Sequence, residues 1–451
     1  MAFLTRSAML SLNRCRSATR LCRTASVFAS KTHVRSRPAS MSTQAASGST
    51  TRRGATVIPN ASMPRPSGFP SIAKESKALL GEWTPKKAAP ANVGEVLQFP
   101  ASCSSATKGA IPNSVEKGKQ SAFMLRQSTL DLIAEVTREA NQATCNRVMT
   151  LDGPKGVGKS VTLLQTVSHF RSEGWIVLYL PQTANWVDGS EPFEPVPGTK
   201  MFRQPQAVAR TLQQFLDLNP DLTKIKTAEG QTLAQVAETG VREPEKAQES
   251  LETILDTLSK EKNRPPVLIA IDQVNSFYSK TAYFDAQSNP VLANQLTAVD
   301  AFVRFLNRTR PLSKGAILCA VDQSDTQLQS PFLEVLLSNS PQIPSSPSSQ
   351  PIAANRRYQD VTSVDSFGVL LSDRLAPASY DPFAPQSEWH PKSLARFNIP
   401  GYNRFEVASI LQYYKDAEIL KNVKLTREYI EKQLVLTGGN ALKLYKRCLS
   451  F

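Results

Sequence analysis

NRVMTLDGPKGVGKSVTLLQTVSHFRSEG, residues 146–174, decides how the rest of the chain is read. It opens on a short apolar, β-prone run, passes through a loop holding Gly153, Gly156 and Gly158, and closes with Leu163, Leu164, Val167 and Phe170 at helical spacing. The order is strand, glycine loop, helix. Within it, Gly153 to Ser160 fits G-x-x-x-x-G-K-[ST] at every required position, in the structural context that this pattern demands.

That pattern has a physical reading. Glycines let the backbone bend so that successive amide N–H groups converge on phosphate oxygens at the start of the next helix, a place where side chains would block the cradle. The predicted phosphate-binding stretch is therefore Gly153, Pro154, Lys155, Gly156, Val157, Gly158, Lys159, Ser160 and Val161. Lys159 is the compact charge for the β and γ phosphates, and the Ser160 hydroxyl is a ligand for Mg²⁺. A second apolar run, PPVLIAIDQVN from Pro265 to Asn275, delivers Asp272 to a strand end, where its carboxylate becomes the second candidate metal ligand. Many hydrolysing relatives of such sites place glutamate after this aspartate to align the attacking water. Here Gln273 follows, a poor base, which argues for slow or absent turnover. Asp322 and Gln323 end a further strand and are candidates for sensing the γ phosphate. The N-K-x-D signature that reads guanine is absent, so the residues alone do not separate ATP from GTP.

Working outward, WIVLYLP (175–181) and GAILCAVDQS (315–324) have the composition of buried parallel strands, and SLARFNIP, ending at Pro400, supplies a last one. Helices are expected from FMLRQSTLDLIAEVTREA near residue 121, and through Val208, Leu212, Phe215 and Leu216. Others are expected through Leu251, Ile254, Leu255 and Leu258, and from RFEVASILQYYKDAEIL onward. A final helix pair, 427–436 and 440–449, turns at Gly438-Gly439. The fold class is α/β: a P-loop parallel sheet flanked by helices, with further helices at the C-terminal end and a disordered N-terminal arm.

With 451 residues, 41% of them hydrophobic, the chain can bury one large core or two medium ones. Its net charge of +15 is concentrated at one end. Twelve basic residues precede the first acid, Glu75, and the remainder carries 41 basic against 38 acidic side chains. The opening, MAFLTRSAMLSLNRCRSATRLCR, mixes arginine, serine and leucine without an acid, as mitochondrial transit peptides do. No apolar run suits a secretory signal or a membrane span. Of six cysteines, Cys103, Cys145, Cys319 and Cys448 lie beyond that segment without ligand or disulfide spacing, so free, buried thiols are expected. Three scattered histidines argue against a histidine metal site or a hydrolase triad.

With these motifs and LTGGNALKLYKRC near the C-terminus, the chain resembles the death-associated protein three family of mitochondrial ribosomal small-subunit proteins, its fungal members most. The resemblance covers roughly residues 121–451. It implies GTP or GDP with Mg²⁺ at the matched residues, a place in the mitochondrial matrix on the small subunit, and contact with ribosomal RNA and neighbouring ribosomal proteins. The layout expected is a transit peptide over 1–36 and an extended arm over 37–120. A nucleotide-binding domain over 121–400, with insertions near 182–262 and 338–360, and a lid over 401–451 follow. The alternative is a free mitochondrial AAA-like ATPase or nucleotide switch, working by hydrolysis and lid movement.

Overall fold

The computed structural model describes residues 81–100, 103, 122–142, 145, 147–261, 263–323, 330–344 and 388–449. A small sheet opens this part: β1 (Gly81–Glu82) runs parallel to β2 (Val96–Gln98), which pairs antiparallel with β3 (Ala122–Met124). This corrects one expectation. The extended arm expected over 37–120 includes residues 81–100, where prolines and alanines mask any periodicity, yet Trp83 and Leu97 are each only 2% exposed in a core shared with Phe123. The expected leader and the remainder of the arm lie outside the described residues, as does most of the 338–360 insertion.

Helix α1 (Gln127–Ala140) leads to β4 (Val148–Asp152), the glycine loop, α2 (Lys159–Ser172) and β5 (Ile176–Leu180). The insertion that follows carries the ribbon β6 (Glu194–Pro195) and β7 (Phe202–Arg203). Three helices come next, α3 (Pro205–Leu218), α4 (Leu233–Arg242) and α5 (Ala247–Lys260). Sequence spacing identified α3 and α5. It missed α4, whose buried face is Leu233, Ala234, Val236, Ala237 and Gly240, too small-sided to register as apolar. Beyond β8 (Val267–Ile271) come an unforeseen hairpin, β9 (Lys280–Phe284) with β10 (Pro290–Leu292), and an unforeseen helix α6 (Thr297–Leu306). Then follow β11 (Gly315–Ala320), α7 (Pro331–Ser338), β12 (Leu394–Asn398), and the lid helices α8 (Arg404–Asp416), α9 (Arg427–Thr437) and α10 (Ala441–Leu449).

Five strands form one parallel sheet in the order β12-β4-β11-β8-β5. Its central strands are buried on both faces, as a parallel sheet covered by crossover helices requires. Alternate residues divide between two cores. Ile269 and Ile271 pack with α3–α6 on one face, while Leu268 and Ala270 pack with α1 and α2 on the other. The lid has its own apolar centre around Val407, Leu411 and Leu444, joined to the small sheet through Met124.

Candidate functional site

Because the strands are parallel, their carboxyl ends share one edge, and the register aligns Leu151 with Ala320 and Ile271 with Cys319. Asp152, Asp322 and Asp272 therefore emerge close together, with β11 interposed between the two strands that carry the outer pair. The glycine loop leaves β4 at the same edge. Gly158, at φ +105°, occupies the cap position of α2, where an added Cβ would meet open space rather than protein. As the N-cap of that helix, Gly158 has no side chain with which to answer the first N–H groups.

Lys159 is buried at 8% exposure and folds back, its Nζ donating to Gly153 O at 2.6 Å and Pro154 O at 3.2 Å. Desolvation pulls its pKa below the ordinary lysine value, opposed by the charges of Asp152, Asp322 and Asp272. Asp272 is 4% exposed, and burial raises its carboxyl to about 7 against the hydrogen bonds from the Ser160 hydroxyl and the Gln273 N–H, the latter 2.9 Å long. The two predicted metal ligands, Ser160 and Asp272, are thus near enough for the hydroxyl to favour the ionised carboxylate.

Gln273 does something other than the sequence suggested. Its backbone is left-handed at φ +60°, its Nε2 donates to Asp322 Oδ2 at 3.1 Å, and its Oε1 accepts from Ala184 N at 3.2 Å. Asn275 completes the bracket, exchanging two hydrogen bonds with the Asp322 backbone at 2.8 and 3.0 Å. Gln323 Nε2 reaches Asp152 Oδ1 at 3.2 Å, and Arg396 Nε lies 2.7 Å from Asp152 Oδ2. The pair flagged as candidate sensors is held by the strand ends themselves.

Three functional-site neighbours lie outside the glycine-loop and aspartate motifs. Arg126, 4% exposed, grips Glu406 through Nε–Oε1 at 3.0 Å and Nη2–Oε2 at 3.2 Å. It also donates to Val157 O at 3.4 Å and to the hinge carbonyls of Pro400 and Gly401 at 2.9 and 3.2 Å. Glu406 simultaneously forms the capping box of α8 with Asn403. From the far side of the lid, Asn440 Nδ2 donates to Lys155 O at 2.6 Å and Leu442 N to Gly156 O at 3.0 Å. Gly156 falls at a free position of the motif, and the lid explains it: at φ +83°, an added Cβ would sit 2.7 Å from both Asn440 Oδ1 and Leu442 Cβ.

These elements define an α/β protein whose helix-flanked parallel sheet presents a glycine loop, a buried lysine and three carboxylates beneath a C-terminal helical lid. The sequence pattern of the mitochondrial ribosomal death-associated protein 3 family matches residues 123–447, and the chain belongs to that family. It is similar to the small ribosomal subunit protein mS29 of Neurospora crassa, 20% identical over 339 residues that span 72% of this chain and 66% of that protein. The mS29 of Schizosaccharomyces pombe is 23% identical over 72% of this chain and 64% of its own length, and that of Bos taurus 21% identical over 75% and 77%. The match thus spans just under two thirds of the fungal proteins.

Proposed function

We propose that this chain is a structural component of the small subunit of the mitochondrial ribosome and holds a nucleotide, GTP or GDP with Mg²⁺, in a P-loop site of AAA-like type. Family membership supports the ribosomal part. The observation that carries the nucleotide is the glycine loop itself, with Gly153, Gly156 and Gly158 at positive φ, Gly158 at the start of α2, and the buried Lys159 turned back onto Gly153 O and Pro154 O. Hydroxyl and carboxylate oxygens are the hard donors Mg²⁺ takes. Among the described residues no group of three or more His, Cys, Asp or Glu side chains could hold an ion. That fits an ion arriving with phosphates, since Mg²⁺ is commonly bound through one or two protein oxygens and its nucleotide.

In this reading the N–H groups from Gly156 to Val161 receive the phosphates, Lys159 exchanges its loop carbonyls for phosphate oxygens, and Ser160 and Asp272 hold the ion. The ion, once bound, offsets phosphate charge. Turnover is not what the residues favour: both ends of the Gln273 amide are engaged, so it is not free to orient water. Guanine is taken from the family resemblance, and adenine is the competing base. No helix among the described residues is long and apolar enough to cross a membrane.

The test is sedimentation of mitochondrial lysate through sucrose at magnesium levels that keep subunits intact but separate. Co-migration with small-subunit RNA, followed by chromatography of the nucleotide released from that fraction, is the expected result. Protein remaining at the top of the gradient, with hydrolysis that Lys159→Ala abolishes, would favour the free ATPase.

A further inference from the structure

The carbonyls of the glycine loop are all spoken for, half of them by other segments. Gly153 O and Pro154 O accept from Lys159 Nζ, Lys155 O from Asn440 Nδ2, Gly156 O from Leu442 N, and Val157 O from Arg126 Nη1. Gly158 O accepts the first helical bond, from Thr162 N at 2.9 Å. A trans peptide is planar, so its C=O and the N–H of the next residue point in opposite directions. Fixing the carbonyls of Lys155 and Val157 from outside therefore aims the N–H groups of Gly156 and Gly158 to the other side of the loop. From this we infer that the lid orients the loop, with Asn440 as the positioning residue. This rests on the nucleotide reading above and adds that phosphate affinity is set in part by an amide contributed from the lid.

Asn440 is suited to this by having two different ends. Its Oδ1 accepts from Lys443 N at 3.0 Å and caps α10, while Nδ2 donates to the loop at 2.6 Å. The residue is 8% exposed, and the positive φ of Gly438 and Gly439 delivers it there, with Tyr402 N bonded to Gly439 O at 2.6 Å. Serine or aspartate would cap the helix comparably, since both rank with asparagine at that position, but neither can donate an amide hydrogen to Lys155 O. Capping and orienting can thus be separated by substitution.

The experiment uses the full chain, with GTP and ATP each tested with Mg²⁺ by calorimetry, alongside melting of the nucleotide-free protein. Asn440→Ser is expected to melt close to the parent and to bind about tenfold more weakly, the scale of one orienting hydrogen bond. Asn440→Asp, which caps the helix but likewise cannot donate to Lys155 O, should bind no better than the serine variant. Binding by Asn440→Ser or Asn440→Asp equal to the parent would overturn the inference. If the parent binds neither nucleotide and Lys159→Ala is indistinguishable from it, the nucleotide reading itself falls.

Discussion

Gln273 shows how one side chain can be read two ways. By position it stands where a water-aligning glutamate often stands; by contact it is a brace between β5's exit turn and Asp322, on a left-handed backbone that only glycine adopts freely. Gln273→Glu would replace the donor to Asp322 with a second carboxylate. We predict no gain in phosphate release and a loss of stability of about 1–3 kcal/mol, from the lost hydrogen bond and a like charge placed beside Asp322. A colorimetric phosphate assay and urea denaturation check the two halves, and a gain in turnover would refute the brace. The place of Gly153, Lys159 and Ser160 between a strand and a helix was legible because all three fall within eight residues of one short motif. Arg126 and Asn440 were not, because their partners lie 280 and 285 positions away and local spacing carries no trace of them.

Among elements, the joint between α1, the loop and α8 rests on Arg126 and Glu406, whose side chains are each 5% exposed. Arg126→Met strands a buried carboxylate and should cost roughly 3–5 kcal/mol, whereas Arg126→Met with Glu406→Gln, which keeps an acceptor for the α8 capping box but no charge, should recover part of the loss. Chemical denaturation of both variants distinguishes a true pair from incidental proximity. Helix α2 carries a different dependence. His169 packs edge-on to Trp83 with ring centroids 6.0 Å apart, and burial lowers its pKa from 6.5 to about 4. The unfolded chain takes the proton first as pH falls, so the stabilisation is full above about 6.5 and is lost as pH drops through about 4. At its largest this is on the order of 3 kcal/mol. A urea series from pH 7.5 to 4 should show a steeper decline for the parent than for His169→Leu. Strands β4, β5, β8 and β11 were plain from continuous apolar runs. Hairpin β9–β10 was not, since it alternates exposed and buried positions over only five and three residues.

For the whole molecule, a ligand held only by the native state stabilises it by RT ln(1 + [L]/Kd), about 2.7 kcal/mol at a hundredfold excess over Kd. GTP with Mg²⁺ should therefore raise the melting temperature of the parent and leave Lys159→Ala unmoved, a difference that scanning calorimetry reads directly. The general plan of sheet, glycine loop and lid was legible because motif and periodicity agreed. The packing of Trp83 and the small sheet into the core was not, because it depends on surroundings supplied from elsewhere in the chain. The distance in sequence between the loop and its lid donors also sets an order of events. A ribosome making this chain releases Lys155 hundreds of peptide bonds before Asn440, so the carbonyls that α10 will claim stay uncommitted while synthesis continues. The site is finished last, and a product cut short before the lid would carry an intact motif and an unfinished cradle.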